Sequence, residues 1–90
     1  MFGLTSQIRR AAVSISANIA EGCGRHTDVD FARFLDIGQG SVNEVDSYLE
    51  LSKDLRYISE VHWKKLWEEL VEIRKMLTVF AQTVRKNATK

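Results

Sequence analysis

The stretch Ile8–Arg25, IRRAAVSISANIAEGCGR, constrains this chain more than any other. Ile8, Ala11, Ala12, Ile15 and Ile19 repeat at the i, i+3, i+4, i+7 spacing of an amphipathic helix. Ser14, Ser16, Ala17 and Ala20 fill much of the rest. Side chains this small let neighbouring backbones come close, so the segment is predicted to lie buried among other helices. Thr5 or Ser6 is the expected N-cap, and Gly22 the expected residue just past the last turn. Asn18 falls on or beside the apolar stripe, and a buried amide must find partners. It either fixes the register between helices or bonds locally near the helix end.

The remaining sequence continues in the same style. Ninety residues contain no proline, which favours long uninterrupted helices. Thr27 reads as the next N-cap, with Asp28 and Asp30 favouring the positive end of the helix that follows. Its stripe is Phe31, Phe34, Leu35, Gly38, Ser41, Val42, Val45, Tyr48, Leu49 and Ser52. Gly38 and Gly40 stand inside it at a cost of about 1 kcal/mol each relative to Ala, a pattern that implies close packing or a bend. The strand, lysine and spacing of a phosphate-binding loop are all missing.

Residues 54–59 form the second turn, and Ser59 is the expected N-cap of the last helix. There Trp63, Leu66, Leu70, Ile73, Leu77, Phe80 and Val84 repeat at alternating spacings of three and four. Lys64–Glu68, Lys65–Glu69 and Glu72–Lys75 are exposed pairs at helical spacing. Trp67, Val71, Met76, Val79 and Ala81 lie outside that seam. This is more apolar surface than one partner helix covers, so it is either a wide core stripe or a second interface. The expected fold is all-α: an up-and-down bundle of three long helices, about 5–22, 28–54 and 59–87, in a single domain over 1–90. Residues 85–90 are expected to fray into a basic tail.

Composition narrows function by exclusion. The formal net charge is +1, so no global charge points to nucleic acid or to a membrane surface. The charge is unevenly spread: net +2 over residues 1–27, −4 over 28–58 and +3 over 59–90. The acidic middle helix either makes the molecule sided or complements its neighbours at their rims. No apolar run approaches the length of a membrane span, and no signal-peptide core opens the chain. A lone cysteine excludes an intrachain disulfide and fits a reducing compartment. A cytoplasmic location is expected.

Tests for chemistry return little. Cys23 and His26 have half the spacing of a zinc site, but a structural site takes four ligands and His62 is the only other histidine. Nothing nearby in sequence orients the two as a nucleophile and its base. The carboxylates of the middle helix spread around a solvated face. Neither enzyme activity, a cofactor, a metal nor a small-molecule substrate is expected. Arg25 and His26 could join free helix amides around an anion, but Asp28 and Asp30 already occupy that positive end. Arg9, Arg10, Arg25, Lys64, Lys65, Arg74, Lys75, Arg85 and Lys86, with Lys90, are the candidates for contact with RNA or DNA. Only an oligomer would gather enough of them to hold a phosphate backbone. Trp63, Trp67, Val71, Met76 and Val79 are the candidates for an oligomer interface.

The run Leu4–Arg25, LTSQIRRAAVSISANIAEGCGR, resembles the signature of a bacterial family of four-helix bundle proteins, first noticed as reading frames inside intervening sequences of large-subunit ribosomal RNA genes. It is also similar to the accessory variability determinant proteins of diversity-generating retroelements. The likeness continues through Phe31–Leu35, Gly40-Ser41, Asn43-Glu44 and Ile73–Leu77, and so spans nearly the whole chain. Ser16 stands where the family often has proline, Cys23 where it often has an aromatic residue, and Gln39 where it often has a basic one. Family members usually carry a further helix before the LTSQIRR run, so the three helices here are expected to match helices 2–4 of the bundle. The resemblance implies an α-helical oligomer with no catalytic site. The retroelement relatives imply binding of nucleic acid and reverse transcriptase. The function expected is a non-enzymatic, self-associating interaction or scaffold module; the alternative is a nucleic-acid-binding accessory protein.

Overall fold

Helix α1 runs Phe2–Cys23, α2 runs Asp28–Asp54 and α3 runs Glu60–Ala88 in the computed structural model, which describes residues 2–88. No strand occurs among the described residues. α1 begins three residues before Thr5, so neither Thr5 nor Ser6 is its cap. The apolar row extends upstream of Ile8 to the half-buried Leu4, and packing of that turn carries the helix past the expected start.

The two later helices begin on capping side chains. Thr27 is extended (φ −125°, ψ 150°) and its side chain accepts from the Asp30 amide. Ser59 Oγ accepts from the His62 amide at 3.1 Å. Caps of this kind contribute about 1 kcal/mol each.

α2 ends without glycine. The amides of Arg56 and Tyr57 donate back to the carbonyls of Lys53 and Ser52 at 2.9 Å, the paired reverse bonds that close a helix C-terminus. Arg56 takes the left-handed conformation this requires, with φ 61°. A side chain there carries a steric cost of roughly 1 kcal/mol that glycine escapes. Arg56→Gly is therefore expected to stabilise the fold by up to about 1 kcal/mol, read as a higher urea midpoint at unchanged slope.

α2 is the central element. α1 packs antiparallel on one side of it: Gly22 faces Phe31 and Phe34, Gly38 lies against Ile15 and Asn18, and Ser41 Oγ donates to Ser14 Oγ at 2.8 Å. Asn18 spends its amide inside α1, on Ser14 O at 2.8 Å and Ser14 Oγ at 3.1 Å. The polar link between the helices is thus the serine pair. α3 packs antiparallel on another side. Arg74 donates to Asp46 at 2.9 Å and to Asn43 at 3.3 Å. Gln39 Nε2 donates to Thr78 Oγ1 at 2.8 Å, and Arg85 pairs with Asp36. That last pair holds the final turns of α3, which stay helical to Ala88 where a frayed tail was expected; Thr89 and Lys90 lie outside the described residues.

Among the described residues, α1 and α3 bring no Cα atoms within 8 Å of each other. The rows of α2 that meet them are about 130° apart at 100° per residue. Leu35, Val42 and Leu49 run between those rows and are buried. Ile8, Ile15, Ile19 and Phe31 pack on that core half-buried. The outcome is an open three-helix arrangement, 49 × 22 × 13 Å along its principal axes. Its radius of gyration is 14.8 Å, against about 12 Å for a compact chain of this length.

Candidate functional site

The arrangement has one open side. Helix periodicity puts Ile8, Ala12, Ile15 and Ile19 of α1 on one wall of a channel. Leu66, Ile73 and Phe80 of α3 form the other wall, and Phe31 on the floor meets Phe80 edge-to-face with ring centroids 5.3 Å apart. Ile73 and Phe80 were expected in the main seam. Both stay partly in solvent, at 36% and 40%. The α3 residues buried against α2 are instead Leu70, Leu77, Ala81 and Val84. Ala81, expected outside the seam, belongs to the core: its small side chain lets the helices approach, and the seam is rotated toward the charged row that meets Asp36, Gln39 and Asp46.

The five interface candidates divide. Trp63 is half-buried against α2, with Lys53 Nζ 4.0 Å above its ring, and it stacks on Trp67 at 5.9 Å. Trp67 lines a shallow pocket with Asp46, Ser47 and Glu50 of α2. These tryptophans serve contacts within the chain. Val71 is half-buried. Met76 and Val79 point outward, 63% and 60% exposed, and with Ile73 and Phe80 they make one apolar stripe at the outer lip of the channel.

The basic candidates divide too. Arg25 pairs with Glu21 at 2.9 Å, Arg74 with Asp46 at 2.9 Å, Lys75 with Glu72 at 3.8 Å and Arg85 with Asp36. Arg9, Arg10, Lys64 and Lys65 make no ion pair among the described residues, so the expected Lys64–Glu68 and Lys65–Glu69 pairs do not form. The antiparallel order puts Arg25, Arg85 and Lys86 at one end of the molecule. Arg9 and Arg10 on α1, and Lys64 and Lys65 on α3, lie toward the other. One chain does not gather them into a single patch. Lys90 lies outside the described residues.

Arg25 lies over the Phe34 ring, its guanidinium carbon 4.4 Å from the centroid. Arg33 lies over the same ring at 5.0 Å. The sequence reading did not single out Arg33 or this aromatic cluster; the i, i+1 pair Arg33-Phe34 gives no spacing signal for it. Cys23 is exposed. Among the described residues no three His, Cys, Asp or Glu side chains converge as metal ligands would.

The small-residue helix with its LTSQIRR start, packed antiparallel on a Phe-rich second helix, can be compared with known proteins. The profile of the 23S rRNA-intervening sequence protein family matches residues 1–79. The chain belongs to that family. The resemblance carried by Leu4–Arg25 is thereby borne out. Among solved structures, the chain is similar to a protein of unknown function from the S23 ribosomal protein family of Bacteroides thetaiotaomicron. The two share 31% identity with a TM-score of 0.85, over 90% of this chain and 75% of that one. No curated protein matches. The chain is an all-helical member of a family of unknown function. Among the described residues no helix is long and apolar enough to cross a membrane.

Proposed function

We propose that this family member is a non-enzymatic interaction module that works by self-association. The observation that carries the reading is the open channel between α1 and α3, with its walls of Ile8, Ile15, Ile19, Ile73 and Phe80. The accessible surface supports it. The chain exposes 6222 Å², whereas a folded monomer of 10.3 kDa exposes about 5,400 Å². Leaving one Leu- or Ile-sized side chain in water forfeits roughly 1.5–3 kcal/mol relative to burying it. Several such residues share the channel and its lip, so covering it is the largest gain left to the fold.

A dye that fluoresces on apolar surface tests the reading. With the dye in excess, its signal per protomer is expected to fall as protein concentration rises, because association covers the channel. A signal per protomer independent of concentration overturns it.

Arg9, Arg10, Lys64 and Lys65 favour the second reading, nucleic-acid binding by an assembled form, because no carboxylate among the described residues pairs with them. That reading expects RNA or DNA affinity that falls steeply with salt; no binding at low salt removes it.

A further inference from the structure

We propose that the ion pairs along the outer edge of α3 are a latch that holds the channel open, and that releasing them lets α3 swing onto α1 within one chain. The proposal goes beyond the self-association reading and does not depend on it. The buried row of α3, Leu70, Leu77, Ala81 and Val84, has two unlike edges. On the edge away from α1, Arg74 reaches Asp46 at 2.9 Å and Asn43 at 3.3 Å. There too Thr78 accepts from Gln39 at 2.8 Å, and Arg85 pairs with Asp36. On the edge toward α1 stand Leu66, Ile73 and Phe80. The polar edge draws α3 away from α1, and the apolar edge gains burial by moving the other way.

The latch is one that solvent can reach. Arg74 and Asp46 are each 30% exposed, and Arg85 and Asp36 are 50% and 55% exposed, so salt screens both pairs. The latched position is also imperfect. Gln39 Oε1 is shielded from solvent and accepts no hydrogen bond from any described residue. A buried acceptor without a donor is unfavourable, and moving α3 toward α1 uncovers it.

The path is short. Two helices each about 9 Å from α2 and about 130° apart lie about 16 Å from each other, and direct contact is about 9 Å. The turn at residues 54–59 is the hinge. Position 75 lies about 22 Å along α3 from it, so a swing of roughly 15–20° closes the gap. Phe80 already meets Phe31 on the channel floor, and closure sets Ile73 and Phe80 against the isoleucines of α1. The charges nearest the closing lip are Glu69 and Glu72 of α3 and Arg9 of α1, which are opposite in sign. Lys65 lies a turn nearer the hinge, and Glu68 is on the solvent side of α3.

Spin labels at Val13→Cys and Lys75→Cys on a Cys23→Ser chain read the distance between α1 and α3; both positions are exposed. Dilution into an excess of unlabelled chain confines the reading to distances within one molecule. Sodium chloride at about 1 M cuts the screening length to about 3 Å. Relative to low salt it is expected to shorten the label distance by about 5 Å or more. Arg74→Gln with Arg85→Gln is expected to give the short distance at low salt. Ile73→Ser added to that pair is expected to restore the long distance, because the apolar edge is broken. A distance that does not change with salt in the otherwise unsubstituted chain overturns the latch, whether or not the double variant folds. A short distance already present at low salt overturns it too. An α3 that does not move leaves the channel open to a second copy, so the first of these results leaves the self-association reading standing.

Discussion

Leu35→Ala is expected to lower the stability of this chain by about 2–5 kcal/mol, more than any other single truncation. Leu35 is 1% exposed and sits on the row of α2 between the two flanking helices. Together with Leu77 and Ala81 it lines a small pocket on the α3 side. Shortening it removes contacts that α2 uses to hold its neighbours and leaves a cavity that rigid helices close poorly. A domain of this size holds roughly 5–13 kcal/mol in all, so the loss is a large fraction of it. Urea unfolding followed by far-UV circular dichroism measures it as a lower midpoint at unchanged slope. The comparison belongs at one protein concentration, because association adds to apparent stability.

Gly22→Ala is expected to destabilise, although alanine is the better helix former. A β-carbon at Gly22 would lie 2.8 Å from Phe31 Cδ1 and 3.0 Å from Phe34 Cβ. The Phe31 ring cannot simply swing away, because it already stands edge-on to Phe80. Moving it disturbs α1, α2 and α3 together. Overpacking of this kind costs typically 1–3 kcal/mol, against a helix-propensity gain of about 1 kcal/mol, so a net loss of up to about 2 kcal/mol is expected. Gly40→Ala is the control. Nothing lies within 4 Å of a β-carbon there, so the same substitution is expected to raise stability by up to about 1 kcal/mol. Melting curves of the two variants should move in opposite directions.

That contrast locates what was legible in the sequence. The apolar periodicity of Ile8–Ile19 and the capping side chains Thr27 and Ser59 describe events within a few residues of each other, and local rules read them well. Gly22 was read by the same local rules as a helix stop. No glycine among the described residues has positive φ, and α1 continues through Gly22 to Cys23. The glycine is there because a phenylalanine nine residues on needs its space. Gly40 was read with Gly38 as a sign of close packing, yet only Gly38 meets another helix.

The seam of α3 shows the same limit. The spacing of Trp63 to Val84 identifies an apolar helix, but which of its rows faces α2 depends on Asp36, Gln39 and Asp46, three polar residues on another element. They draw Arg74, Thr78 and Arg85 toward α2, which turns Ala81 inward and leaves Ile73 and Phe80 at the rim. The surface proposed for association was visible in the sequence as surplus apolar area; its position was not. For the basic residues, the sequence could not tell arginines engaged by carboxylates of another helix, such as Arg74 and Arg85, from those that make no ion pair among the described residues, such as Arg9 and Arg10.

Light scattering after size exclusion, at several loading concentrations, tests the self-association reading most directly. The reading expects a mass that is a multiple of 10.3 kDa and falls toward that value on dilution. A mass of 10.3 kDa at every concentration would mean that the channel between α1 and α3 stays open in solution, and would contradict it.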